Sequence, residues 1–254
     1  MPGTILRHDR GAIAILTLSN PDKRNALDPT LLGELVNQLD QLASSDRRAV
    51  VLTGEGDRAF SAGYDLGALD GSETTAQSVY SRAIDAVIAS PLPIVAALNG
   101  LAVGGGCELA ASCDLRVAHA GVTLRMPPVR LGIIYPPRAL QRFCALIGHS
   151  RTRELFLTAR PVDATRASVW GLVDHVVAEG AVLETAIELA EAMTLGVPAA
   201  VQHTRRLFEQ ILPPLPDGLV DAVKRAQSEL WESDEAKRAR AAIASRSGER
   251  PRRS

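Results

Sequence analysis

An α/β core followed by a helix-rich C-terminal part is the fold class that this sequence predicts. Three observations carry it. Between Ala12 and Leu98, short β-prone apolar runs alternate with stretches of helical periodicity. From Pro137 onward the pattern is helical, interrupted by one short strand at Val173 to Val177. Between these parts lies LNGLAVGGGCELAASCDLR, Leu98 to Arg116, which reads as strand end, glycine turn and buried helix.

Thr4 to His8 and Ala12 to Leu18 read as strands, and Asp9-Arg10-Gly11 between them is a hairpin signal. Pro21 to Leu27 reads as a polar loop. Asp28 is a good N-cap and Pro29 suits a first helical position. Leu31, Leu32, Leu35, Leu39 and Leu42 then recur at helical spacing. Ala49 to Thr53 is a continuous apolar strand; Gly54-Glu55-Gly56 turns the chain, and Phe60 to Leu66 forms a small-residue loop. A weaker helix is expected over Thr75 to Ala89, a buried strand over Ile94 to Leu98, a helix over Cys107 to Cys113 and a strand over Leu115 to Ala118. Met126-Pro127-Pro128 blocks helix and central strand alike. Helical segments follow at Arg138 to Ile147, Arg151 to Thr158, Ala181 to Leu195, Ala199 to Ile211 and Asp217 to Ala244. The expected division is a core over 1–195, a helical region over 196–245 and a disordered tail over 246–254.

The balance of 28 Lys+Arg against 29 Asp+Glu leaves a formal charge of −1. Nothing there selects nucleic acid or a membrane surface as partner. The three cysteines, Cys107, Cys113 and Cys144, match no zinc spacing and no secreted disulfide framework. No signal-type stretch or membrane-length apolar run is present, so a cytoplasmic protein is expected.

The chemistry concentrates at Gly104-Gly105-Gly106. A helix that starts there offers N–H groups without internal acceptors, and missing side chains let a ligand approach the backbone. Glu108 sits about one turn into that helix and can face the same point. Gly54 to Ala59 matches G-x-G-x-x-A, but no helix start follows it, which argues against a dinucleotide site. The histidines pair in no metal pattern, and no G-x-S-x-G frames a serine nucleophile.

Phe60-Ser61-Ala62-Gly63-Tyr64-Asp65-Leu66 and Gly104-Gly105-Gly106-Cys107-Glu108, in this order, resemble the enoyl-CoA hydratase/isomerase (crotonase) superfamily. Asn20 to Leu27, Val129 to Gly132 and Trp170 to Asp174 extend the likeness. The resemblance implies a spiral core of repeated ββα units and an enzyme that stabilises an enolate of an acyl-CoA thioester. On the matching positions, the amides of Tyr64 and Gly105 form the oxyanion hole, and such donors contribute about 3 kcal/mol each. Glu108 is implied as the acid/base residue. CoA and substrate are expected along Lys23, Arg24, Ala26, Ala62, Asp65, Leu66, Gly104 and Pro128, with no separate cofactor and no metal. Pocket walls are expected from 67–80 and 125–138. A homotrimer or a hexamer built as a dimer of trimers is implied, with the C-terminal helices at the interface.

Hydratases of the superfamily carry a second glutamate where this chain has Pro128, in Pro127-Pro128-Val129. Pro128 to Tyr135 resembles the corresponding stretch of methylmalonyl-CoA decarboxylases, and the resemblance implies Tyr135 as a second catalytic residue. Three functions are therefore expected: an enoyl-CoA hydratase or isomerase first, a methylmalonyl-type CoA decarboxylase second, and an acyl-CoA-binding module without chemistry third.

Overall fold

Strands arrive in consecutive pairs, and from the second pair onward the two members join different sheets. A computed structural model describes residues 2–65 and 73–248, with side chains outside 73–78 and 243–248. In chain order the first elements are β1 (Thr4–Arg10), β2 (Ile13–Ser19), α1 (Pro29–Ala43), β3 (Ala49–Gly54), β4 (Ala59–Ser61) and α2 (Glu73–Ala89). Then come β5 (Ile94–Leu98), β6 (Leu101–Val103), α3 (Gly105–Ala111), β7 (Leu115–His119), β8 (Thr123–Arg125) and α4 (Pro137–Thr158). The chain closes with β9 (Val162–Asp163), α5 (Ala164–Trp170), β10 (His175–Val177), α6 (Val182–Thr194), α7 (Pro198–Gln210), α8 (Leu219–Glu232) and α9 (Asp234–Gly248). Two compact units result: Met1–Arg125 with Pro161–Pro213, and Met126–Arg160 with Pro214–Ser254.

The first unit holds both sheets. One has six strands in the order β1-β2-β3-β5-β7-β10, and the other has four in the order β4-β6-β8-β9. β1 and β2 pair antiparallel as the hairpin signal predicts; β2, β3, β5, β7 and β10 then run parallel. Parallel neighbours need a crossover, and each ββα repeat supplies one: β3-β4-α2 and β5-β6-α3 both return to the large sheet. β3 is buried along its whole length, which is why it reads as an unbroken apolar run. One face of the sheet, with Ile13, Ile15, Val51, Val95, Ala97 and Val117, is covered by Val182, Ala186, Ile187 and Ala190 of α6.

Asp28 caps α1 as predicted: its carboxylate accepts the Leu31 N–H at 3.0 Å and the Gly3 N–H at 2.6 Å. The leucines of that helix are all buried. Elsewhere local chemistry changes the boundaries. The helix expected over Cys107 to Cys113 runs instead over Gly105–Ala111, and Gly106 lies against β4, where a Cβ would sit 2.6 Å from Ser61 Cβ. Gly148, at φ 76° and ψ 161°, breaks α4 between the two helices expected there. The single helix expected over Asp217 to Ala244 is two, parted at Ser233, whose ψ of 145° is extended. Its second half continues to Gly248, into the stretch expected as a tail; 249–254 lie outside the described residues. β4, whose Phe60 and Ser61 read as loop, and β6, β8, β9 and α5 escape the sequence reading because so few residues show no period. Among the described residues no helix is long and apolar enough to cross a membrane.

Candidate active site

Two loops meet beside the start of α3. Gly63, which follows β4 in the chain, has φ +94°, and a Cβ built on it would lie 2.5 Å from the Val103 carbonyl oxygen and 3.3 Å from the Gly105 nitrogen. Only a glycine admits that approach and that backbone conformation together. Tyr64 forms a parallel bridge with Leu27: the Leu27 N–H donates to Gly63 O at 2.8 Å and the Asp65 N–H to Leu27 O at 3.0 Å. N–H groups alternate in direction along an extended strand, so the Tyr64 N–H faces away from Leu27. On the other loop, Gly104 (φ +52°) donates its N–H to Arg125 O at 2.8 Å and accepts the Glu108 N–H at 3.0 Å. The Gly105 N–H begins the helix and has no acceptor among the described residues.

Glu108 is the fourth residue of α3 and only 4% exposed. Its Oε2 accepts the Tyr80 hydroxyl at 2.8 Å, and the same hydroxyl lies 2.9 Å from the Gly105 carbonyl. The Tyr80 ring covers the Cα of Gly105, where a Cβ would meet it at 2.9 Å, and stands edge-on to Tyr64 with centroids 6.1 Å apart. Tyr80 therefore joins the two glycine loops and the glutamate. Burial pushes the neighbouring Cys107 thiol up to about 12, with the Glu108 charge adding to the effect. Water is scarce around this carboxylate, so hydrogen bonds to it are strong.

Lys23, Arg24 and Ala26, and Ala62 and Asp65, lie on two strips that run side by side. Ala62 N–H donates to Arg24 O at 3.0 Å, and Lys23 Nζ reaches Asp65 Oδ2 at 2.7 Å. The Asp65 hydrogen bond raises the Lys23 ammonium above its usual range. Arg24 and Asn25 both have positive φ, 53° and 55°. Asn25 holds the bend by donating to Glu55 O at 3.0 Å and to Ala59 O at 2.8 Å. Ala26 is buried beneath it. Leu66 lies outside the described residues, as do 67–72 of the expected wall over 67–80.

Pro128 and Tyr135 belong to the second unit. Pro128 is buried and opens a 3₁₀ turn, Pro128–Leu131. Tyr135 is half-buried and edge-on to Phe156, with centroids 5.3 Å apart. The sequence reading reaches Tyr80 only as the last residue of an expected pocket wall, 67–80, with no role of its own. The available signal is its place on α2, in register with the buried Ala83, Ile84 and Val87: a polar-tipped ring on an apolar helix face.

Strand–strand–helix repeats that bring two glycine loops and a buried glutamate together define a crotonase-type protein. The enoyl-CoA hydratase/isomerase family model matches residues 8–244, and the chain belongs to that family. It is an enzyme of the hydratase/isomerase type that processes acyl-CoA thioesters. A putative enoyl-CoA hydratase/isomerase, YngF of Bacillus subtilis (strain 168), is 37% identical over 198 residues, 76% of each chain. The 2,3-dehydroadipyl-CoA hydratase of Escherichia coli (strain K12) is 34% identical over 201 residues, 78% of each. The crystal structure of a methylmalonyl CoA decarboxylase superposes with TM-score 0.87 over 96% of this chain and 95% of the other; at 23% identity this is a likeness of fold alone.

Proposed function

We propose that the enzyme stabilises a thioester enolate with the amides of Tyr64 and Gly105 while Glu108 moves the proton beside the carbonyl. The observation that carries this reading is the approach of Gly63 to the Gly105 amide, with Glu108 tied to Gly105 through Tyr80. Donors fixed in advance around a developing oxyanion stabilise it without reorganising, and a buried carboxylate is a competent acid/base. CoA lies along Lys23, Arg24, Ala26, Ala62, Asp65, Leu66 and Gly104. The substrate is an enoyl-CoA, and no cofactor beyond its CoA is needed for proton transfer at an activated carbon.

Pro128 stands, by resemblance, where hydratases carry their second glutamate. One carboxylate can take a proton from one carbon and return it to another, so this site favours double-bond migration over water addition. The test is conversion of a 3-enoyl-CoA, read as growth of conjugated-thioester absorbance, beside loss of that absorbance from crotonyl-CoA. Glu108→Gln is expected to lower either turnover by about 10²- to 10⁴-fold. Wild-type rates in that variant would overturn the acid/base assignment. The resemblance of Pro128 to Tyr135 to methylmalonyl-CoA decarboxylases favours a second reading, decarboxylation of a methylmalonyl-type CoA, and CO₂ release from methylmalonyl-CoA decides for it.

The assembly we propose is a homotrimer or a dimer of trimers, with 1–195 as catalytic core and 196–245 at the interface. In support, Leu207, Phe208 and Ile211, in and just after α7, are 54%, 64% and 71% exposed in the single chain. Light scattering that reports a monomer rules this out. Free Cys107, Cys113 and Cys144 fit a cytoplasmic enzyme.

A further inference from the structure

We infer that Tyr80 is the positioning residue of the acid/base carboxylate, holding Glu108 in both of its protonation states. This rests on the proposed role of Glu108 and adds a residue to it. A phenol has one proton, yet the Tyr80 oxygen has two acceptors in reach, Glu108 Oε2 at 2.8 Å and Gly105 O at 2.9 Å. While Glu108 is ionised, the charged oxygen is the stronger acceptor, and the phenolic O–H donates its hydrogen bond there. Once Glu108 has taken a proton from substrate, the hydroxyl turns its own proton to Gly105 O, and its oxygen lone pairs face the neutral carboxyl. No proton leaves Tyr80; it only rotates. A group that must accept and then return a proton is thus kept in one place through both half-steps.

The scaffold makes this rotation local. The ring is pinned by the Gly105 backbone beneath it and by Tyr64 at its edge, so only the hydroxyl proton moves. β4 and β6, the strands packed on α3, carry no ionisable side chain. Cys107 is next to Glu108 and stays a neutral thiol, with its pKa at about 12. Arg116 on β7, whose charge reaches Cys107, is paired with Asp174 at 2.7 Å. On α2, Arg82 and Asp85 are exposed. Tyr80 bonds the carboxylate directly through a rotatable proton.

The test is Tyr80→Phe, which keeps the ring and deletes the hydroxyl. Losing a hydrogen bond to the ionised form makes the carboxylate harder to form, so the acid limb of the kcat/KM profile moves to higher pH by about one unit. At neutral pH kcat falls about 10- to 100-fold while KM changes less than threefold, as expected for losing one hydrogen bond to a charged group. A readout that needs no turnover is the infrared carbonyl band of Glu108, taken as wild type minus Glu108→Gln and followed with pH. Its midpoint is expected to rise in Tyr80→Phe. An unmoved midpoint in a folded variant overturns the inference. If Glu108→Gln keeps full activity while the midpoint does move, the acid/base reading falls and the hydrogen-bond assignment stands.

Discussion

Gly63 and Gly105 approach so closely that a Cβ on Gly63 would stand 3.3 Å from the Gly105 nitrogen and 2.5 Å from Val103 O. The two loops keep this spacing only because residue 63 has no side chain. Gly63→Ala is expected to force them apart and lower kcat at least tenfold. Gly56→Ala is the control: Gly56 also has positive φ, +76°, but nothing lies within 4 Å of its added Cβ. It should cost about 1 kcal/mol of stability and leave kcat alone. Equal kcat losses in both variants would mean that backbone strain, and not loop spacing, matters.

Replacing Gly105 separates the amide from the ring above it. Alanine keeps the N–H but pushes a methyl group toward the Tyr80 ring, 2.9 Å from the ideal Cβ. Proline adds the same bulk and removes the donor, at a first helical position that otherwise tolerates it. Steady-state kinetics should show a modest kcat loss for Gly105→Ala and a further 10²- to 10³-fold for Gly105→Pro, about the value of one oxyanion donor. A proline variant no worse than alanine would remove the Gly105 amide from the proposed site.

Much of this was legible in the sequence, for identifiable reasons. Asp28-Pro29 and the leucine spacing fix α1 by local rules alone. The glycine run announces α3 because close backbone approach leaves few other residues possible. Tyr80 was not legible as a site residue: its meaning depends on α2 crossing over Gly105, a contact between positions 25 apart in the chain. Asn25 was likewise only part of a polar loop until its bonds to Glu55 O and Ala59 O tied that loop to β4. The two-helix C-terminus failed for the opposite reason: periodicity continues through Ser233, while the backbone does not.

Cys107 and Cys113 give the fold an alkaline weakness. Burial is the main cause that pushes both thiols up to about 12. In the unfolded chain a thiol ionises near ~8.5, so above that pH the unfolded state loses protons that the folded state keeps. Stability is complete below ~8.5 and falls with rising pH by about 1.4 kcal/mol per unit for each thiol, until the folded value is reached. Cys113→Ala lacks one of these terms. Its deficit against wild type, measured by urea unfolding, should therefore shrink by about 2 kcal/mol between pH 7 and pH 10. A pH-independent deficit would show that Cys113 is not held as a neutral thiol.

Arg205 links α7 to the helix that carries Tyr80. Its Nε lies 2.8 and 2.7 Å from the two carboxylate oxygens of Asp114. Its other nitrogens donate to the carbonyls of Val87, at 2.8 Å, Ile88, at 2.9 Å, and Ser90, which together close the C-terminal end of α2. Those carbonyls have no helical N–H left to accept, so the guanidinium is both their cap and the partner of Asp114. Arg205→Met keeps the aliphatic length and removes every one of these bonds. Asp114 is 27% exposed, so water recovers part of the loss, and a fall of about 3 kcal/mol in unfolding free energy is expected. Because α2 also aims the Tyr80 hydroxyl at Glu108, kcat should fall with it, and Arg205→Lys should restore the charge without the fork. Hydrogen exchange over 79–89 tells the two roles apart. Faster exchange there in Arg205→Met, with partial protection in Arg205→Lys, is the expected result. Wild-type protection over that stretch would confine Arg205 to its pairing with Asp114.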